Sequence, residues 1–125
     1  MKTILTAAAA VLALAAPAFA QDEIAGDPEA GAKDWKKCKA CHAITDADGE
    51  TIEKGGKTGP NLFGIVGREA ASDPDFGKYT DELVALAEGG LIWTPEELAA
   101  YVPNAKEYIG ARTSMTPQKL KDVNN

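Results

Sequence analysis

Two thiols and one imidazole stand together in Cys38-Lys39-Ala40-Cys41-His42, and the 125 residues hold no other cysteine or histidine. Three chemistries use these residue types at this spacing. A Cys-x-x-Cys pair can cycle between dithiol and disulfide, a role that wants a strand before it and a helix beginning at the first cysteine. A zinc site wants four ligands, usually as two separated pairs, and no second Cys/His cluster follows here. Covalent haem attachment wants two thiols at i and i+3 on one side of a helical turn, forming thioethers to two vinyl groups, with a histidine next in line for the iron.

The flanking segments discriminate among the three. From Asp27 to Lys39 the residues predict a helix already running, with Asp27 as its cap, Pro28 in its first turn and Ala30, Ala32 and Lys33 as good helix formers. The cysteines therefore fall near a helix end, which suits haem attachment better than a redox dithiol. His42 is then the proximal axial ligand, with its other ring nitrogen held by an acceptor. The opposite axial position takes a soft sulfur, a second nitrogen or nothing, and after residue 20 the chain has one methionine, Met115. Met115 lies in Gly110-Ala111-Arg112-Thr113-Ser114-Met115-Thr116-Pro117, a small, polar stretch that reads as a loop, where a core-filling methionine is out of place. Thioether ligation through Met115 is expected, and a His/Met pair raises the haem potential and suits electron transfer.

The first twenty residues differ in character: Lys2, an apolar run from Ile4 to Ala16, Pro17, then the small-x-small site Ala18-Phe19-Ala20. They read as a secretory signal over residues 1–20, cleaved after Ala20, with one domain over 21–125. Losing Lys2 takes 13 basic residues to 12 against 19 acidic ones, so the net charge moves from −6 to −7. Such a balance argues against nonspecific nucleic-acid binding. No later apolar run reaches the length of a bilayer span, so no stable membrane insertion is expected. Export to the periplasm strengthens the haem reading, because c-type haem is attached outside the cytoplasm.

Further motifs follow in order: Gly31 and Trp35 before the pentapeptide, then Lys57-Thr58-Gly59-Pro60-Asn61-Leu62, Gly64-Ile65-Val66-Gly67-Arg68, Trp93-Thr94, Tyr101, Asn104, Tyr108 and Met115. With these pieces the chain resembles class I cytochrome c, most closely the bacterial c2-type periplasmic cytochromes, from about Gly26 to Leu120. The resemblance implies a mainly α, single-domain fold of short helices and loops wrapped around one haem c, covalently attached through Cys38 and Cys41. It implies that the Pro60 carbonyl accepts from His42, and that Arg68, Tyr79 and Trp93 donate to a buried haem propionate. Tyr101 resembles the ring beside the ligand sulfur, and Thr113 a nearby hydroxyl that tunes the potential.

The implied function is a soluble, monomeric periplasmic electron carrier and not an enzyme. By resemblance its donor is a ubiquinol-cytochrome c reductase, and its acceptor a terminal oxidase, a photosynthetic reaction centre or a denitrification enzyme. Lys36, Lys37, Lys39, Lys54 and Lys57, with Arg112, Lys119 and Lys121, are the expected ring that steers docking onto acidic partners. The alternative is a five-coordinate haem protein that binds CO or NO, or has weak peroxidase activity, with Met115 off the iron.

The remaining elements are expected to position this site. Thr80 to Ala87 and Pro95 to Val102 carry helical spacing, the first ended by Gly89-Gly90, the second capped by Thr94 with Glu97 at the capping-box position. Glu50 to Asn61 reads as a Gly- and Lys-rich loop over one haem edge. Asp46-Ala47-Asp48-Gly49-Glu50 reads as a solvated turn, since it lacks the remaining ligands of a calcium loop. Two departures from the family stand out. Gly110-Ala111 replaces a Pro-containing turn, and the sequence stops at Asn125, so the C-terminal helix that crosses near Gly31 and Trp35 in these cytochromes is expected to be missing or truncated, and without it one side of Trp35 is uncovered.

Overall fold

A computed structural model describes residues 26–125. The expected signal over residues 1–20, its cleavage site and the start of the domain lie outside the described residues. Four short helices and one two-stranded sheet surround a cavity: α1 (Pro28–Asp34), β1 (Ile44–Thr45), β2 (Thr51–Glu53), α2 (Asp81–Glu88), α3 (Pro95–Tyr101) and α4 (Ala105–Ile109). Among the described residues no helix is long and apolar enough to cross a membrane.

The first helix starts as its sequence dictates. Asp27 accepts from the amides of Glu29 (2.9 Å) and Ala30 (3.4 Å), and Pro28 fills a position with no amide to lose. It does not continue to Lys39 as an α-helix. At Trp35 it tightens into a 3₁₀ turn over Trp35–Lys37, and the amides of Cys41 (3.1 Å) and His42 (2.9 Å) then close on the Cys38 carbonyl. That tightened end places the two thiols and the imidazole on successive turns of one wound segment.

The stretch expected to be all loop forms a hairpin instead. Thr51–Glu53 pairs antiparallel with Ile44–Thr45, with an irregularity between Ile44 and Thr45. The solvated turn is its connection: Asp46 Oδ1 accepts from the amides of Asp48 (3.0 Å) and Glu50 (2.8 Å), and Gly49 supplies a left-handed residue at φ 86°. Strands of two and three residues carry no periodicity that a sequence could display.

In α2, Thr80 caps at Leu83 N (3.4 Å), Asp81 and Glu82 complement the positive end, and Leu83 and Ala87 face inward one turn apart. Gly90 at φ 98° lets the Leu91 amide return to the Leu86 carbonyl at 3.0 Å, which ends the helix. The chain then runs back along an earlier segment: Trp93 N donates to Arg68 O (2.8 Å), Gly67 N to Trp93 O (2.7 Å) and Ala70 N to Leu91 O (3.0 Å). Arg68 and Trp93 are thereby fixed side by side.

Helix α3 begins with Thr94 accepting from Glu97 N (3.2 Å), but the other half of the expected capping box is absent. The Thr94 amide goes to the Ile92 carbonyl, and the Glu97 carboxylate takes the hydroxyl of Tyr108 instead. Helix α4, which the residue pattern did not predict, is set by Asn104 capping Glu107 N (3.3 Å) and by Gly110 in the left-handed conformation at φ 74°. No helix follows Ile109 among the described residues. The last residues instead lie on α1: Asp27 N donates to Asn125 Oδ1 (3.2 Å), and a side chain at Gly31 would meet the backbone of Asn125. Trp35 is half-buried.

Candidate functional site

Among the described residues the buried apolar side chains are Ala70, Leu83, Ala87, Trp93 and Ala105. A domain of this size ordinarily buries far more. Here the larger apolar groups, among them Leu62, Ile65, Phe76, Leu98 and Val102, line a cavity of about 440 Å³. All ten residues expected at the site, Cys38, Cys41, His42, Pro60, Arg68, Tyr79, Trp93, Tyr101, Thr113 and Met115, border that one cavity.

The proximal wall comes from the wound segment after α1 and from the loop that crosses it. His42 lines the cavity and its Nδ1 sits 2.8 Å from the Pro60 carbonyl, so Nδ1 donates there and Nε2 is the ring nitrogen left for a ligand. Gly59 must be a glycine for this contact, because a Cβ there would collide with the His42 imidazole. Asn61 pins the same loop: its side chain accepts from Thr45 N (3.0 Å) and donates to Thr45 O (2.7 Å), while its own amide donates to Asp73 Oδ2 (2.9 Å). Cys38 is half-buried and Cys41 exposed, and their thiols are not joined. Burial pushes the Cys38 thiol above its usual pKa, with Asp34 adding to the effect.

The loop after α4 also lines the cavity. Met115 is partly buried, its amide held by the Thr113 hydroxyl at 3.4 Å. Gln118 N ties the loop to Val102 O at the end of α3 (3.3 Å), and Lys37 Nζ reaches the Lys119 carbonyl at 2.6 Å. The loop carrying the soft sulfur is thus held from both the α3 and the α1 sides. Tyr101 faces it; burial raises the Tyr101 pKa, and the adjacent Thr113 hydroxyl draws it partly back.

The polar edge differs in detail from the expectation that Arg68, Tyr79 and Trp93 converge as three free donors. Both terminal nitrogens of Arg68 bind backbone carbonyls, Nη1 to Phe63 (3.0 Å) and Nη2 to Asn61 (2.8 Å). Its Nε is buried and without a partner among the described residues, and each terminal nitrogen keeps a second N–H. The Tyr79 hydroxyl accepts from Asp73 N at 3.1 Å and keeps its proton to donate; burial raises its pKa. A second buried nitrogen without a partner, Trp35 Nε1, borders the cavity as well. Buried donors of this kind are destabilising unless something accepts from them.

These observations fit a haem c. Two thiols three residues apart, an imidazole with Nε2 free, a thioether lining the same cavity, an apolar lining and a buried donor without a partner are the groups such a cofactor uses. Gly59, Asn61, Asp73 and Lys78 also take part in or border this framework, and residue type alone did not single them out. The lysines and arginine of the expected docking ring are exposed, with Lys37 engaged by Asp34 (3.4 Å) and Lys119.

No protein-family model matches the chain. It is similar to cytochrome c2 of Rhodobacter capsulatus, 51% identical over 110 residues that cover 87% of this chain and 76% of the relative. It is likewise similar to cytochrome c-550 of Paracoccus denitrificans, 46% identical over 125 residues covering 93% and 78%. The solved structure of the Rhodobacter capsulatus cytochrome c2 superposes with a TM-score of 0.74 at 42% identity, over 79% of this chain and 90% of that one. With the cavity and relatives at this identity in agreement, the chain belongs to the bacterial c2-type class I cytochromes c, electron carriers that hold one covalent haem c and are not enzymes.

Proposed function

We propose that Cys38 and Cys41 form the two thioethers to haem c, and that His42 Nε2 and the Met115 sulfur are the axial ligands of a periplasmic electron carrier. Bound there, the haem supplies a one-electron couple. The observation that carries the reading is the 2.8 Å contact between His42 Nδ1 and the Pro60 carbonyl, which engages one ring nitrogen of a residue that lines the cavity and leaves Nε2 for the iron.

The chain's own residues would do the rest. The loop pinned by Asn61 holds the imidazole, and the Lys37–Lys119 and Gln118–Val102 bonds hold the loop that presents Met115. The apolar lining keeps water from the iron, which limits the rearrangement that accompanies each electron. The unpartnered Arg68 Nε and the Tyr79 hydroxyl are donors for a propionate, and Trp93 walls that edge. Tyr101 and Thr113 border the sulfur and tune the potential.

The exposed lysines that flank the pentapeptide in sequence, Lys36, Lys37, Lys39, Lys54 and Lys57, favour an acidic docking site on each redox partner. The donor in this reading is a ubiquinol-cytochrome c reductase, and the acceptor a terminal oxidase, photosynthetic reaction centre or denitrification enzyme. Residues 1–20 direct export and are removed after Ala20.

Optical spectra of the purified protein, oxidised and reduced, with and without CO, test the ligation. A ferric sulfur-to-iron charge-transfer band with no response to CO is expected. Absence of the band with ready CO binding overturns ligation by Met115, and absence of covalent haem overturns the whole reading.

A further inference from the structure

The end of α2 and the start of α3 enclose a shallow depression on the outer surface, bordered by Ala85, Leu86, Ile92, Thr94 and Glu97. None of the residues that line it borders the cavity of the haem. Leu86 and Ile92 leave 37% and 40% of their surface to water. Gly89 and Gly90, between them in the chain, have no side chains to fill the space, and a Cβ at Gly90 would meet nothing within 4 Å.

Carboxylates stand on every element that borders this apolar floor. On α2, Glu82 lies one turn before Leu86 on the same face, and Glu88 is the last residue. Glu96 and Glu97 fall in the first turn of α3, and Glu69 is bridged to Ile92. The chain has no lysine or arginine between Lys78 and Lys106. Glu69, Glu82, Glu88 and Glu96 are exposed, and among the described residues no cationic side chain lies within ion-pairing distance of them. Water-exposed Leu86 and Ile92 are stabilised by apolar cover, and a concentration of like charge is stabilised by cations. A lysine or arginine supplies both, because its aliphatic stem packs on apolar surface while its charged head reaches the edge.

We propose that this depression docks a basic, amphipathic segment of a protein partner, with the segment's apolar side chains on Leu86 and Ile92 and its lysines or arginines against Glu82, Glu88 and Glu96. Charge complementarity selects the occupant. Two copies of this chain, each with a net charge of −6, repel one another, whereas a basic segment is drawn to this face. The site uses none of the lysines that flank the pentapeptide, so a partner held here leaves them free to steer a redox partner. The inference does not depend on which group occupies the cavity.

The test follows the amide resonances of the holoprotein as a synthetic peptide of lysines interrupted by leucines is added, with oligolysine of the same length and spermine for comparison. Saturable shifts concentrated between Glu82 and Glu97 are expected, with an affinity that falls several-fold as salt rises. Glu88→Lys and Glu96→Lys, both at exposed positions, should each weaken the peptide several-fold. Leu86→Ser combined with Ile92→Ser should bring the leucine-containing peptide down to the affinity of oligolysine, with a native amide spectrum as the check on folding. Shifts spread equally over the Asp46–Glu50 turn, equal affinity for oligolysine or spermine, or indifference to both glutamate variants would show a diffuse acidic surface and overturn the docking site. The same shifts on concentrating the protein alone would make a second copy the occupant and overturn the basic partner.

Discussion

The side-chain amide of Asn61 and the backbone of Thr45 exchange two hydrogen bonds, of 3.0 and 2.7 Å, so that Asn61 pairs with β1 as a residue of a third strand would. Asn61 Oδ1 also accepts from Phe63 N (3.1 Å), its carbonyl accepts from Arg68, and its amide donates to Asp73. Pro60, whose carbonyl faces His42, is the residue before it. The orientation of the imidazole is therefore anchored in the hairpin through one asparagine.

Asn61→Ala leaves Thr45 N and Thr45 O without their partners in a partly buried place and frees Phe63 N at the surface, and should lower stability by about 2–3 kcal/mol. Urea unfolding of the holoprotein measures it. A loss below about 0.5 kcal/mol, the range of an ordinary surface change, would show that the anchor is dispensable.

Gly59→Ala places a Cβ against the His42 ring, which cannot retreat while its Nδ1 is bonded to Pro60. Overpacking of this kind destabilises by about 1–3 kcal/mol. Reduced yield of protein with covalent haem, together with a perturbed His42 imidazole resonance in the nuclear magnetic resonance spectrum, is the expected outcome; a wild-type resonance would refute the contact.

Met115→Ala should lower the reduction potential and open the iron to CO, since a thioether ligand raises the potential of a His-ligated haem. Voltammetry and the reduced-plus-CO spectrum read the two effects. Unchanged spectra would remove Met115 from the ligand set.

Burial, with the hydrogen bond to Glu97 adding to it, pushes the Tyr108 phenol up to about 12. A raised pKa means that the folded state holds this proton more tightly than the unfolded chain does. The resulting stabilisation is fully present below the ordinary phenol value of about 10 and is lost as pH rises through the folded value. Unfolding free energy should therefore decline between pH 10 and 12, and less steeply in Tyr108→Phe. Equal slopes in the two proteins would contradict the assignment.

Electron transfer to an acidic redox partner should slow as salt rises, because the Debye length shrinks from about 30 Å at 0.01 M to about 8 Å at 0.15 M. Stopped-flow rates over that range, with Lys36→Glu and Lys39→Glu for comparison, measure it. Both variants should be slower at low salt and converge on wild type at high salt; a rate indifferent to salt would count against lysine steering.

What could be read in the residues was chemistry that acts within a few positions. Cys38, Cys41 and His42 need only one helical turn to face one cofactor, and Asp27-Pro28, Thr94-Pro95 and Gly89-Gly90 set helix ends through bonds to their nearest amides and carbonyls. These interactions are local, so the same residues carry the same meaning before the chain is folded. The hairpin of Ile44–Thr45 and Thr51–Glu53 and the five residues of α4 are too short for any pattern, and they form because Asn61, Asn104 and Gly110 supply bonds or backbone conformations at their ends. Glu97 and Arg68 show the limit most plainly. Glu97 occupies a capping-box position yet bonds Tyr108 from the next helix, and Arg68 directs its terminal nitrogens to Phe63 and Asn61 instead of leaving them all for a propionate. Sequence by itself determined which groups are the candidates to hold the haem, because attachment and ligation draw on residue type and close spacing. Tertiary structure decided which polar atoms remain free to serve it, because a donor binds the nearest acceptor that folding brings to it, however distant along the chain.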